Sequence, residues 1–268
     1  MSKGFLIFAQ NNEKDDYVKQ AYLCALSGTY SGNKNFTLVT DNPVPQEYYL
    51  VFDRVIVMAD DKAKDSDWKI ENRYKAFELS PYDETIVLDS DVLVLDKIDW
   101  YLFADYDIYF TQNPVTYRGE PVSSGYYRKT FEMNLLPDVY VGMYYFKKCR
   151  TAQQFFAILE VVIEEWQEFY SIYCKDHKPQ HVSIDVCAAI VCDMLQLHED
   201  RAKDLVNFVH MKLHAQNWDT VGESWQHKVD WYMNNDLKIG NYKQEGVFHY
   251  TEKDFCDVML KRYKECIT

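Results

Sequence analysis

Apolar positions in the first hundred residues fall into short runs separated by amphipathic stretches. Residues 4–9 (GFLIFA) form an uninterrupted apolar run of strand length, the pattern of a strand buried on both faces. A polar segment, 11–16, follows it. Over 17–26, Val18, Ala21, Tyr22, Ala25 and Leu26 recur at helical spacing and predict a helix. Residues 36–40 (FTLVT) predict a second strand, closed by Asp41-Asn42-Pro43, and 52–58 (FDRVIVM) a third. Trp68, Ile70, Tyr74, Phe77 and Leu79 predict a helix over 67–79, stopped by Ser80-Pro81. Residues 85–88 read as the next strand, and 92–95 as its extended continuation. Alternating strands and helices predict an α/β fold with a mostly parallel central sheet flanked by helices.

The later chain reads less regularly. Residues 107–111 (DIYFT) and 139–146 (VYVGMYYF) predict strands, and Gly142 inside the second marks a close approach of backbone. Residues 116–128 are polar and contain Gly119 and Gly125, so they read as a surface loop. Two amphipathic helices are predicted over 151–170 and 182–197, and a closing helix over 255–263. Residues 205–212 and 246–250 are short apolar pieces, the latter a strand. No repeat or low-complexity linker divides the chain. It is expected to form one domain, 1–268, with a first half over 1–104 and a second half with C-terminal helices over 105–268.

Composition narrows the function. Hydrophobic residues make up 47% of the 268 positions, enough for a sizeable core. The 22 tyrosines suit either sugar and base pockets or core packing. A net charge of −13 lacks the basic footprint of a duplex nucleic-acid binder. An acidic chain that binds a phosphorylated ligand must overcome like-charge repulsion, and a divalent cation does so locally. The seven cysteines are scattered and form no CxxC pair, which argues against a zinc site and favours a reducing, cytoplasmic setting. No signal peptide and no membrane span are expected.

The strand at 85–88 leads directly into Asp89-Ser90-Asp91. Ligands in α/β proteins gather at the carboxyl ends of parallel strands. If the chain stays extended there, Asp89 and Asp91 point the same way and Ser90 points away. Two hard oxygen donors on one edge suit Mg²⁺ or Mn²⁺, with positions left for phosphate oxygens. An ordinary solvated turn would not carry Val92–Leu95 immediately behind it.

The stretch YDETIVLDSDVLVLDKIDWYLF, residues 82–103, resembles the D-x-D segment of family 8 glycosyltransferases, the group containing glycogenin and the bacterial lipopolysaccharide galactosyltransferases. Residues 7–17 (IFAQNNEKDDY) are similar to that family's opening strand and nucleoside-holding loop, and 71–79 (ENRYKAFEL) to the helix before the D-x-D. The resemblance implies a GT-A (nucleotide-diphospho-sugar transferase) fold and transfer from a nucleotide-sugar donor, expected to be a UDP-sugar, with retention of configuration. It implies donor contacts from Ala9, Asn11, Tyr17, Arg73, Lys75 and Ser90, and a Mn²⁺ or Mg²⁺ ion held by Asp89, Asp91 and a late histidine. That histidine is His249, followed by Lys253, or His210, followed by Lys212; the strand-like setting of His249 favours the first. The lysine supplies charge to the leaving diphosphate. Asp138 and Asp185 fall near the transferred sugar or the acceptor, which is unidentified.

The chain departs from the family at several points. Tyr140-Val141-Gly142-Met143 lacks the family's Asn before the Gly, Val186 replaces a Gln after Asp185, and neither late His–Lys pair has the family's intervening Gly and closing Pro-Trp. Two other readings stand beside this one. A sugar-phosphate nucleotidyltransferase would also use a strand-end carboxylate and Mg²⁺, although the loop at 10–16 has no glycine. A non-catalytic nucleotide-sugar-binding protein would keep the fold without turnover.

Overall fold

The structure, a computed structural model, describes residues 1–58, 61–63, 66, 69–122, 128–197, 203–211, 225–232 and 236–267. The chain opens β1 (Lys3–Phe8), α1 (Tyr17–Tyr30), β2 (Phe36–Thr40), β3 (Arg54–Val57), α2 (Ala76–Leu79), β4 (Glu84–Leu88) and β5 (Val92–Val94). It continues with β6 (Ile108–Thr111), α3 (Lys129–Asn134), β7 (Tyr140–Lys147), α4 (Arg150–Glu164), α5 (Trp166–Tyr173) and α6 (Ile184–Leu195). It ends β8 (Phe208–His210), β9 (Val229–Tyr232), β10 (Asp236–Ile239), β11 (Tyr242–Gln244), β12 (Val247–His249) and α7 (Phe255–Ile267).

The central sheet has the order β3-β2-β1-β4-β7-β6. Strands β1 to β4 run parallel, β7 is antiparallel to both β4 and β6, and so only β7 is reversed. Side chains alternate between two cores. Phe5 and Ile7 of β1 pack in one, with α1, α7 and the small sheets; Leu6 and Phe8 pack in the other, with α4 and α6. Burial on both faces is why β1 reads as a continuous apolar run. At the start of α1 the Asp16 side chain accepts from Lys19 N at 2.9 Å and Asn11 Oδ1 accepts from Val18 N at 3.0 Å. These bonds satisfy amide donors that the first helical turn leaves open.

Several expectations need correction. The helix expected over 67–79 is confined to a 3-10 turn at Arg73–Lys75 and to α2, with positions 67 and 68 outside the described residues. Lys69 has a positive φ of 53°. The buried Asn72 amide donates to Gln10 at 2.9 Å and to Asp61 at 2.6 Å. A segment committed to those long-range bonds is not free to close helical turns. The helix expected over 151–170 breaks at Glu165 into α4 and α5. After the break Tyr170 is fully buried and accepts from Ser183 N at 2.9 Å.

The expected surface loop at 116–128 carries buried Thr116, Tyr117 and Arg128. Most consequential, the helices of the second half are joined by small sheets: β9, β10 and β11 form an antiparallel sheet, and β5, β12 and β8 form another. Strands such as DLKI and YKQ are short and half polar, so no apolar run announces them. The Gly240-Asn241 turn between β10 and β11, with Gly240 at φ 57°, was the available hairpin signal. Among the described residues no helix is long and apolar enough to cross a membrane.

Candidate functional site

The site forms where β4 leaves the central sheet. Asp89 N donates to Gly142 O at 3.0 Å, which ties the end of β4 to β7. The chain turns at Ser90 and Asp91 rather than continuing extended, then enters β5. Strand β12 pairs antiparallel with β5 and sets His249 opposite Val92. That register brings Asp91 beside the end of β12, where Tyr250 N donates to Asp91 O at 3.3 Å. One ligand atom each from Asp89, Asp91 and His249 lies within 4.8 Å of the others.

The donor set is chemically consistent with a divalent cation. Two carboxylates and an imidazole suit Mn²⁺ or Mg²⁺. His249 Nε2 and Asp91 Oδ2 are 2.9 Å apart, close to the ~3 Å expected between adjacent donors each ~2.1 Å from an octahedral ion. Tyr140 Oη lies 3.1 Å from His249 Nδ1, a contact that orients the ring and leaves Nε2 to face the carboxylates. A Cβ at position 142 would fall 2.7 Å from a Tyr140 ring carbon and 2.9 Å from Phe208. Glycine there makes room for the Tyr140 ring.

Two cations face the carboxylates. Lys253 Nζ is 2.5 Å from Asp91 Oδ2, and Arg73 Nη2 is 3.2 Å from Asp89 Oδ1. Burial alone would raise the Asp91 carboxyl, but the His249 imidazole and the Lys253 ammonium outweigh it and hold Asp91 well below the usual carboxylate range. Burial works to lower the Lys253 ammonium, and the Asp91 carboxylate reverses this and raises it. Burial pushes the Tyr140 phenol well up, with Asp185, Asp89 and Asp91 adding to the effect, so it stays a neutral phenol.

The chain matches no family model, and its sequence matches no curated protein. Its likeness to known proteins lies in the backbone. A solved structure of the galactosyltransferase LgtC in complex with donor and acceptor sugar analogues superposes with a TM-score of 0.54 at 13% identity, covering 99% of this chain and 96% of that one. An active-site mutant of LgtC gives 0.50 at 14% identity over 97% and 95%. The chain shares the fold of these two structures, the GT-A fold.

Within this GT-A fold the other expected residues fall into three groups. Near the cluster are Lys253, Arg73 and Tyr17, whose ring centroid lies 5.0 Å from Lys253 Nζ. Ser90 is buried inside the turn. His210, one strand over on β8, sits in register with His249, and its ring meets the His249 ring edge-on at 5.0 Å; it is not in the three-residue cluster.

A second group lies at the carboxyl end of β1. Ala9 is buried and donates its N–H to Val39 O at 2.9 Å. Asn11 spends its side-chain oxygen on α1, and its backbone N–H donates to Asn42 at 2.7 Å. Lys75 turns elsewhere: its Nζ lies 5.8 Å from the Tyr74 ring, on the side of Glu160. Lys212 lies outside the described residues.

The third group is Asp138 and Asp185, which the buried Arg128 joins. Arg128 pairs with Asp138, approaches Asp185 Oδ2 at 3.7 Å and donates to Val139 O at 3.0 Å. Asp185, in the first turn of α6, accepts from Val141 N at 2.8 Å.

Sequence reasoning passed over Tyr140, Arg128 and Thr251. Tyr140 becomes visible only once β7 is registered against β4. Arg128 sits at the end of a polar loop with no local signal. Thr251 adopts φ 58°, a left-handed conformation that costs a β-branched residue on the order of 1–3 kcal/mol. It stands between His249 and Lys253, where the family resemblance led one to look for a glycine. Trp225 Nε1 and Gln226 Nε2 each donate to Glu252 at 2.7 Å and hold this turn down.

Proposed function

We propose that the protein is a metal-dependent glycosyltransferase that moves a sugar from a nucleoside-diphosphate donor, with uridine as its base, to an acceptor with retention of configuration. The observation that carries this reading is the convergence of Asp89, Asp91 and His249 at the carboxyl end of β4 in a GT-A fold. The fold is shared with LgtC, whose solved complex holds donor and acceptor sugar analogues, and that supports neighbouring donor and acceptor subsites here.

Asp89, Asp91 and His249 would hold the cation, and Tyr140 would fix the His249 ring. When bound, Mn²⁺ or Mg²⁺ supplies positive charge to the diphosphate as it leaves. Among the described residues, Arg73 Nε and Nη1 are buried without hydrogen-bond partners. Unpaired guanidinium donors beside the carboxylate pair favour an anionic or hydroxyl-rich ligand, since leaving them unmet is costly. Lys253 adds a second positive group on the diphosphate side. Ala9, Asn11 and Tyr17 line the nucleoside end, with Tyr17 offering a ring face for the base. Ser90 keeps the turn between the two aspartates. Asp138 and Asp185, oriented by Arg128, face the transferred sugar or the acceptor.

Calorimetric titration of Mn²⁺ with a UDP-sugar, repeated on Asp91→Ala, tests the reading. Binding that survives unchanged in the variant would overturn it. UDP release from the donor in the presence of Mn²⁺ favours a transferase. Pyrophosphate release from a nucleoside triphosphate and a sugar phosphate would instead identify a nucleotidyltransferase.

A further inference from the structure

The two site carboxylates already have cationic partners within the chain. Asp91 Oδ2 is approached by Lys253 Nζ at 2.5 Å and by His249 Nε2 at 2.9 Å, and Asp89 Oδ1 by Arg73 Nη2 at 3.2 Å. Asp89 and Asp91 carry two negative charges, and Arg73 and Lys253 match them with two positive ones. The position of Lys253 is built into the fold. Its turn carries Thr251 at φ 58°, Glu252 is clamped by Trp225 and Gln226, and Gln226 Nε2 also donates to Asp254 at 3.0 Å. The Tyr17 ring flanks the ammonium at 5.0 Å.

A divalent cation entering among Asp89, Asp91 and His249 therefore meets an ammonium already bonded to the Asp91 carboxylate. An ammonium has no lone pair and cannot join the coordination shell. The Asp91 side chain is only 11% exposed, so water screens the repulsion between the two cations poorly. Repulsion from the metal weakens the hold of Asp91 on Lys253, and the natural recipient of the ammonium is an anion arriving with the metal.

We propose that Lys253 is an internal counter-cation: it holds Asp91 in the metal-free protein and passes to the donor diphosphate when the metal enters, so that metal and nucleoside diphosphate bind with strong mutual dependence and metal alone binds weakly. This rests on the reading of Asp89, Asp91 and His249 as the metal ligands. Linkage makes the dependence reciprocal: the factor by which the diphosphate tightens the metal equals the factor by which the metal tightens the diphosphate.

The test is Mn²⁺ affinity of the full chain, read from the electron paramagnetic resonance signal of the free ion, with and without saturating UDP. Lys253→Met removes the charge, and Lys253→Gln is a second neutral variant. Lys253→Arg keeps the charge, and Asp91→Ala is the site control. Thermal melts confirm that each variant is folded.

The expected result is that Lys253→Met binds Mn²⁺ alone at least ~10-fold more tightly than the wild type, and that the gain in Mn²⁺ affinity on adding UDP shrinks by a similar ~10-fold factor. Lys253→Arg should bind Mn²⁺ alone within ~3-fold of the wild type. Asp91-dependent Mn²⁺ binding of equal strength in the wild type and both neutral variants would overturn the hand-over and leave the metal site standing. Absence of any Asp91-dependent Mn²⁺ binding would overturn the metal site and the hand-over together.

Discussion

Replacing Asp91 by Asn keeps its shape and removes its charge, and the cost of that change can be worked out from the site. Asp91 Oδ2 is shared by Lys253 Nζ at 2.5 Å and His249 Nε2 at 2.9 Å, with side chains 11%, 29% and 9% exposed respectively. Removing one partner of a buried ion pair costs ~3–5 kcal/mol. Here Lys253 keeps some access to water, and the Asn oxygen still accepts one hydrogen bond, so the expected cost is about 2–3 kcal/mol. At ~2–4 °C per kcal/mol for a chain of this size, the melting temperature should fall by about 5–10 °C.

The assay is denaturant unfolding in chelator-containing buffer from pH 7 down to pH 3. Asp91 is held below its ordinary range in the folded state. A depressed carboxyl contributes stability that is present above the unfolded value of ~3.9 and is lost as pH falls toward the folded value. The gap between wild type and Asp91→Asn should therefore narrow below pH ~4. A gap under ~0.5 kcal/mol at pH 7, or one that does not narrow in acid, refutes the pairing on which the site's electrostatics rest.

Three further outcomes are expected. Tyr140→Phe removes the hydroxyl 3.1 Å from His249 Nδ1 and should weaken Mn²⁺ binding ~10–100-fold while the fold is retained; unchanged affinity would mean that His249 is oriented without it. Gly142→Ala forces a methyl group against the Tyr140 and Phe208 rings and should cost ~1–3 kcal/mol in unfolding measurements; an unshifted melting curve would contradict the close approach. Burial pushes the Cys174 thiol up to about 11, those of Cys187 and Cys256 up to about 12, and those of Cys24 and Cys192 well above the ordinary thiol range. These five should resist an aromatic disulfide reagent at pH 8 until the protein is unfolded, and rapid labelling of any of them, mapped by mass spectrometry, would contradict the packing.

The first hundred residues were the most legible part of the chain, because strands such as β1 and β4 are buried on both faces. Residues Phe5 to Phe8 and Ile86 to Leu88 have no polar position to interrupt them, and Asp89-Ser90-Asp91 follows at the point where a parallel sheet presents its ligand edge. The second half was harder to read. Strands β9 to β11 alternate weakly and carry charged residues, while the breaks at Glu165 and at positions 69–72 come from tertiary bonds to Tyr170 and Asn72 that no local window contains. At the site, the two aspartates were legible from a strand followed by carboxylates. The neighbourhood of His249 was not, because it depends on β12 pairing with β5 across about 150 residues of intervening chain. Tyr140 was hidden for the same reason, its partner His249 being remote in sequence, and Arg128 was hidden because it ends a polar loop and one of its partners, Asp185, lies far along the chain.

The most direct test of the central claim is a crystal of the protein soaked with Mn²⁺ and UDP and examined by anomalous scattering. The account predicts a single strong peak with Asp89, Asp91 and His249 Nε2 as protein ligands at ~2.0–2.3 Å, and with diphosphate oxygens completing the shell. A peak ligated by His210 in place of His249, or no peak at the end of β4, would contradict it.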